Sequence, residues 1–92
     1  MPVRLIYSSE AAPWLSTAEL EQMLHESRIR NKAHGITGVL VLVDGVFLQV
    51  LEGESFDVDD LMSRIEVDPR HSGVKVFHRE TVELRAFESW SM

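Results

Sequence analysis

Several things are missing from this chain of 92 residues. It has no cysteine, which excludes disulfide frameworks and thiolate chemistry and leaves the redox compartment unspecified. No apolar run approaches the ~18 residues that cross a membrane. The N-terminus, MPVRLIYSS, lacks the long apolar segment and the small-residue cleavage site of a secretion signal. We therefore expect a cytoplasmic protein without membrane association, and the length and ordinary composition predict one domain over residues 1–92.

Positive charge is also scarce, since 9 Lys and Arg stand against 15 Asp and Glu, a formal net charge of −6. This balance argues against a nucleic-acid partner, whose binding surface is normally basic. Three of the nine cations nevertheless fall within residues 28–32, where they either complete a helix C-terminus or form an anion site. No metal is predicted, because metal-ligand spacing is absent from the four histidines, His25, His34, His71 and His78.

The first half of the chain predicts a strand, a helix and two further strands. Residues 3–9 alternate as a strand does, and STAE at 16–19 has the form of a capping box. The helix that follows is expected to end near Ala33, with Gly35 as its stop. The almost wholly apolar run 36–43 is typical of a central strand covered on both faces. Asp44 and Gly45 then predict a hairpin turn into the strand of DGVFLQVLEG.

The second half predicts a helix and two strands. Ser55 or Asp57 is expected to cap the helix, and Pro69 marks its end. Residues 74–78 and 82–90 fit two more strands, giving the order βαββαββ. A βαββαβ core predicts the α+β class and a ferredoxin-like sandwich. We expect a mixed five-stranded sheet with both helices on one face.

Three polar side chains fall on faces that should bury hydrocarbon. Tyr7 is on the apolar face of the first predicted strand, and Gln49 has hydrocarbon neighbours whichever way its strand turns. At 100° per residue, one stripe of the first helix contains Leu20, Leu24, Ser27 and Asn31. Taken singly, these positions also fit a structural tyrosine, an amide at the wet rim of an edge strand and a frayed helix end.

Together, the three positions place a phenol and two amides on core-facing sites of three different elements. Burying a polar group without a partner costs ~1–3 kcal/mol, so these groups should meet one another or a ligand. If the first and third strands are neighbours, Tyr7 and Gln49 can bond each other. The amide would still have hydrogen-bonding capacity for a planar ligand with polar edges.

Over essentially its whole length, the chain resembles the blue-light sensing flavin domains called BLUF. Five motifs in order carry the resemblance: RLIYSS, RNKAHGITG, DGVFLQVLEG, DPRH and RAFESWSM. The resemblance implies a non-covalent FAD between the two helices, over the sheet. It also implies a photoreceptor that is not an enzyme and that signals to an effector protein or domain.

Four residues match the photoactive positions of the family. Tyr7 matches the tyrosine that reduces the excited flavin, and Gln49 matches the glutamine that bridges this phenol and the ring. By the resemblance, an electron and then a proton leave Tyr7 by way of Gln49 and return by another route. The amide ends rotated or tautomerised, with a new bond to flavin O4. Trp90 and Met92 match tail residues that exchange places near the glutamine, so the last strand is expected to carry the signal.

The flavin-binding residues that the resemblance implies are Tyr7, Ser27, Arg30, Asn31, Gln49, Arg64, Asp68 and His71. Among them, Asn31 matches the residue at the pyrimidine edge of the ring, and Arg30 stands beside the ring. Arg64 and Asp68 match positions at the carbonyl edge, although their spacing of four also allows them to pair with each other. The cations of residues 28–32 are candidates for the phosphates of the ADP part.

Other readings remain open at this level. A ferredoxin-like ligand-sensing or protein-interaction module without flavin would purify colourless. A hydrolase of the acylphosphatase kind needs an anion-cradling loop after the first strand, and SSEAAPW has neither Gly nor Arg. RNA binding is poorly supported by the acidic balance and the few strand aromatics. Family members usually continue into C-terminal helices that cover the sheet; an uncovered sheet would expose apolar surface and favour a homo-oligomer.

Overall fold

The computed structural model describes residues 1–86, which form a four-stranded sheet with two helices packed on one face. In chain order the elements are β1 (Pro2–Ala11), α1 (Thr17–Ala33), β2 (Thr37–Val43), β3 (Val46–Glu54), α2 (Ser55–Val67) and β4 (His71–Thr81). The strand order across the sheet is β2-β3-β1-β4. This architecture confirms the predicted α+β class and the ferredoxin-like sandwich.

The sheet differs from the prediction in two respects. All three neighbouring pairs of strands are antiparallel, so the sheet is not mixed in the described part of the chain. The physical reason is the strand order: β1 and β2 run parallel, but β3 lies between them and they never pair. The predicted fifth strand is not formed over residues 82–86, and residues 87–90 lie outside the described residues.

The prediction that β2 is covered on both faces was wrong. Among the strands of residues 1–86 it lies at an edge, and Val41, Leu42 and Val43 at its end are exposed. A wholly apolar run does not distinguish burial on both faces from one covered and one uncovered face. Here the face of β2 that carries Leu40 packs against the core, whereas the opposite face is open.

The local signals at the ends of the elements are mostly confirmed. Ser16 accepts a hydrogen bond from the Glu19 backbone N–H at 3.1 Å, and the Glu19 carboxylate accepts from the Ser16 N–H at 3.3 Å, which completes the capping box. Gly35, just after α1, has a φ of +65°, which favours glycine. In α2 the prediction was wrong by one residue or more, because the N-cap is Glu54 and its side chain makes no cap bond.

The Asp44–Gly45 hairpin forms as predicted. Both residues have positive φ, 50° and 75°, as a type I′ turn requires. The turn sets the register in which Leu40 lies opposite Gln49. This register matters for the site, because it places Gln49 between its neighbours on β2 and β1.

The core lies between the sheet and the helices. The largest share of it comes from alternate residues of β1 and from the apolar face of α2, with members Val3, Leu5, Tyr7, Ile36, Leu51, Val58, Leu61, Met62 and Ile65. On the opposite face of the sheet, side chains of β2 and β3 such as Val41, Val43, Val46 and Leu48 are exposed. The expected apolar outer face is therefore present, and self-association through it stays a prediction.

Two further observations apply to residues 1–86. No helix among them is long and apolar enough to cross a membrane. Nor do they contain a group of three or more His, Asp or Glu side chains arranged to hold a metal ion.

Candidate functional site

A cleft of about 590 Å³, counted with the space open to solvent, lies between α1 and α2 above the sheet. Every residue predicted to bind the cofactor lines it: Tyr7, Ser27, Arg30, Asn31, Gln49, Arg64, Asp68 and His71. Its remaining walls are largely hydrocarbon, provided by Met23, Leu24, Leu40, Phe47, Leu61 and Ile65. The cleft therefore combines apolar walls with a small set of polar groups.

Tyr7 and Gln49 lie on the floor of the cleft. They are cross-strand partners on β1 and β3, and the Tyr7 hydroxyl donates a hydrogen bond to Gln49 Oε1. Both side chains are buried, and Tyr7 is the single tyrosine of the chain. Burial raises the pKa of Tyr7 above its usual range, so the phenol stays protonated at neutral pH and acts as the donor.

The Tyr7 bond leaves the other end of the Gln49 amide to the cleft. The oxygen accepts from the phenol, while the Nε2 group is a donor of two hydrogen bonds. Because β3 is an inner strand, Gln49 is not at the wet rim of a sheet edge. The Gln49 amide is thus held with its oxygen on the Tyr7 phenol and lines the cleft.

Asn31 lies at the end of α1 and is buried. Its backbone carbonyl accepts the Ile36 N–H at 2.8 Å, which ties the helix end to the start of the next strand. A frayed helix end therefore does not explain this polar residue. Ser27 and Arg30 line the same cleft from α1, whereas Arg28 and Lys32 are exposed and do not line it.

The cleft also contains a residue that the sequence analysis did not assign to the site, Arg70. Its Nε and Nη2 donate to Asp68 Oδ1 and Oδ2 at 3.0 and 2.7 Å, and its backbone N–H donates to Oδ1 at 2.9 Å. The hydrogen bond from the Arg70 side chain lowers the pKa of Asp68. An Asp whose side chain accepts a hydrogen bond from the N–H two residues later forms an Asx-type turn. The DPR pattern was therefore the sequence signal that could have indicated that Arg70 is bound to Asp68.

Arg64 does not pair with Asp68. It forms an i, i+4 ion pair with Asp60 instead, at 3.3 Å, and Asp68 pairs with Arg70. The alternative in which Arg64 and Asp68 simply neutralise each other is therefore wrong. Both side chains still line the cleft from the α2 side.

His71 closes one end of the cleft. Its Nδ1 lies 2.8 Å from the Ser9 hydroxyl, and its ring centroid is 5.0 Å from that of Phe47. Burial lowers the pKa of His71, and the nearby Asp68 carboxylate opposes this effect less strongly. The imidazole is therefore neutral at pH 7. Trp90 and Met92, the remaining predicted photoactive residues, lie outside the described residues.

This donor set fits a flavin ring. The edge of an isoalloxazine presents carbonyl oxygens and N5 as acceptors, and the cleft offers amide and guanidinium donors from Gln49, Asn31, Arg30, Arg64 and Arg70. Its apolar walls suit the two faces of a flat ring. The fold and this site together define a flavin-binding sensor class.

Comparison with known proteins agrees with this class. Residues 3–92 match the family described as BLUF, sensors of blue-light using FAD. Photoactivated adenylate cyclase subunit beta of Euglena gracilis is 36% identical over 89 residues, which are 96% of this chain and 10% of that protein. The chain thus spans about a tenth of the curated relatives that it matches.

Solved structures agree as well. The dark-state structure of BlrB, a BLUF protein, superposes with a TM-score of 0.93 at 36% identity, covering 99% of this chain and 69% of that one. Klebsiella pneumoniae BlrP1 with FMN and cyclic diGMP gives a TM-score of 0.85 at 35% identity, covering 92% and 23%. The chain belongs to the BLUF family and is a flavin-binding blue-light photoreceptor domain. A module without flavin is accordingly not favoured.

Proposed function

We propose that residues 1–92 form a single photosensor domain whose cofactor is FAD, and that Tyr7 and Gln49 are its photoactive pair. The observation that carries the proposal is the buried hydrogen bond from the Tyr7 hydroxyl to Gln49 Oε1 on the floor of the cleft. FMN and FAD share the ring that this cleft contacts. FAD is proposed because the family is described by that cofactor, although the BlrP1 structure contains FMN.

The bound flavin would supply a ring that absorbs blue light and, once excited, accepts an electron. Tyr7 would be the donor of this electron, and its phenol would release its proton toward Gln49 Oε1, the atom that already accepts its hydrogen bond. Both return to Tyr7 by another route, so the domain turns over no substrate. The lasting change is in Gln49, whose amide ends rotated or tautomerised.

The other polar residues of the cleft hold and orient the ring. Asn31 and Arg30 act from α1, and Arg64 acts from α2. Asp68 fixes the guanidinium of Arg70 at the end of the cleft. We therefore add Arg70 to the proposed binding residues. Ser27 and His71 complete the rim, with His71 held by Ser9. Rigid, pre-bonded side chains of this kind position a ligand with little loss of freedom on binding.

The signal passes to an effector protein or domain that is not part of the described structure. Trp90 and Met92 are proposed as the residues that respond to the state of Gln49. The curated relatives are named as adenylate cyclases, which makes a nucleotide cyclase one class of effector. We further propose a cytoplasmic protein that is not itself an enzyme and that self-associates through its apolar outer face.

The test is a light-minus-dark absorption spectrum of the purified, flavin-loaded domain, with chromatography of the released cofactor. We expect FAD and a reversible red shift that is lost in Tyr7→Phe and in Gln49→Leu. Ser8→Ala, next to Tyr7 but on the opposite face of β1, is the control and should keep the shift. A colourless protein that takes up no FAD would refute the function, and a normal shift in both cleft variants would refute the roles of Tyr7 and Gln49.

A further inference from the structure

On the face of the sheet opposite the cleft, a row of polar residues crosses three strands. Arg4 on β1 is the cross-strand partner of Glu52 on β3 and of Glu80 on β4. Its Nε donates to Glu52 Oε2 at 2.9 Å and its Nη1 donates to Glu80 Oε1 at 3.0 Å. Glu80 is partly exposed, but the Glu52 side chain is fully buried. A buried carboxylate on a largely apolar, open face therefore has to be explained.

Residues 82–86, here called the strap, contact Glu52 on this face. The strap starts where the Val82 N–H donates to the Pro2 carbonyl at 3.0 Å. The Ala86 N–H donates to Glu52 Oε2 at 2.9 Å, and Arg85 Nη1 donates to the Gly35 carbonyl at 2.6 Å. These contacts lead from β4 past β1 and β3 toward the start of β2. The strap thus crosses one end of the sheet and is tied to Glu52.

The chemistry of this tie makes it sensitive to small movements. A buried carboxylate is tolerated only while charged or hydrogen-bonding partners stay in place. Arg4 is shared between two carboxylates, and Oε2 of Glu52 accepts from both Arg4 and the Ala86 N–H. A small shift between β1 and β3 would therefore change the geometry at Oε2, and with it the hold on the strap.

The same two strands carry the photoactive pair. Tyr7 with Gln49 and Arg4 with Glu52 are cross-strand pairs in one register, three residues apart on each strand. Because three is an odd number, the two pairs point to opposite faces of the sheet. Any sliding of β3 against β1 that accompanies a new Gln49 hydrogen bond also acts on Glu52.

We propose that Glu52 is a positioning residue that couples the Tyr7–Gln49 pair to the strap, so that illumination weakens the bond from the Ala86 N–H to Glu52 and loosens the strap from the sheet. This inference rests on the proposed function. The proposed route runs through the sheet, from the Tyr7–Gln49 hydrogen bond in the cleft to the Ala86–Glu52 hydrogen bond on the outer face.

Hydrogen exchange of the Ala86 amide, followed by NMR in the flavin-loaded domain in the dark and under blue light, tests the coupling. In the wild-type domain we expect faster exchange in the light. Glu52→Gln keeps the shape but removes the charge; its Ala86 amide should exchange about tenfold faster in the dark, with little further change in the light. The red shift itself should persist, because Glu52 lies outside the cleft.

Glu80→Gln is the matched control. It makes the same chemical change and touches the same Arg4, but Glu80 is partly exposed and does not bond the strap. Exchange of the Ala86 amide should stay within about twofold of wild type in the dark, and its light response should remain. Equal exchange in the two variants would overturn the proposal.

A second pair of variants leaves Glu52 and Arg4 untouched. Ala86→Pro removes the N–H donor, whereas Ala86→Gly retains it. In the wild-type domain the Val82 amide, at the start of the strap, should also exchange faster in the light. This response should be lost in the proline variant and kept in the glycine variant. A wild-type domain that shows the red shift but equal exchange of the Ala86 amide in light and dark would refute the coupling alone. Absence of the red shift would refute the proposed function and the coupling with it.

Discussion

His71 Nδ1 lies 2.8 Å from the Ser9 hydroxyl, so the imidazole is fixed against the inner face of β1 at one end of the cleft. Phe47 packs on the ring as well. This arrangement holds a titratable group in a largely apolar setting, and burial lowers its pKa. The cleft consequently contains a group whose protonation opposes the folded state.

The first prediction concerns pH. Because the pKa of His71 is lower in the folded state, the unfolded chain binds the proton first, and stability present above about pH 6.5 is lost as the pH falls toward the lowered value. His71→Gln, which keeps a polar partner for Ser9, should flatten the decline between pH 7.5 and pH 5.5 in urea unfolding. The control is His25→Gln on the exposed side of α1. An unchanged slope in His71→Gln would contradict the assignment.

The second prediction concerns the Tyr7–Gln49 bond in the unloaded domain. Tyr7→Phe removes the donor and leaves Gln49 Oε1 unsatisfied, at an expected cost of about 1–3 kcal/mol. In the double variant Tyr7→Phe/Gln49→Leu both partners are removed together. Its loss of stability should therefore be smaller than the sum of the single losses, as measured by a urea double-mutant cycle. Strict additivity would show that the two side chains are not coupled.

The third prediction concerns Arg70. Arg70→Met should lower the affinity for flavin by about tenfold or more, since one charge-assisted hydrogen-bond donor is lost from the cleft. Arg79→Met is a matched control, because Arg79 forms a similar two-pronged bond to Asp59 but lies outside the cleft. Fluorescence titration with FAD measures both. Equal affinities for the two variants would exclude Arg70 from the binding set.

The fourth prediction concerns the β2–β3 pairing that positions Gln49. A Cβ at Gly38 would overlap the backbone carbonyl of Val50, which cannot move without breaking the ladder. Gly38→Ala should cost about 3 kcal/mol or more. Gly35→Ala has open space and only a left-handed backbone to strain, so a cost of about 1 kcal/mol is expected. Thermal or urea unfolding that ranks them the other way would contradict this view of the β2–β3 interface.

The residues of the site could be predicted from the sequence more completely than the arrangement of the strands in the sheet. That Tyr7 and Asn31 share a face with apolar residues follows from the two- and 3.6-residue periods, and Gln49 has apolar neighbours on either face of its strand; these are local properties of the chain. The place of β2 among the four described strands and their antiparallel pairing depend on which strands become neighbours across long stretches of sequence. The identity of the cofactor came from the family resemblance, because residue periodicity does not indicate which ligand binds.

Arg70 and Glu52 show why the remainder was not predictable. The direction of the Arg70 side chain is set by Asp68 through a turn, and its place in the cleft appears only when α2 is packed. Glu52 sits among apolar residues at a strand position that would ordinarily face solvent. Its hydrogen bond from the Ala86 N–H comes from the strap, a segment at least thirty residues away that makes no regular secondary structure.

The phenol in the cleft is the chain's sole tyrosine. Feeding ring-deuterated or carbon-13-labelled tyrosine during expression would therefore place the isotope at position 7 and nowhere else. Infrared difference bands that move with the label could be assigned to this side chain without any mutation. The native sequence is thus already a single-site vibrational probe of its own photochemistry.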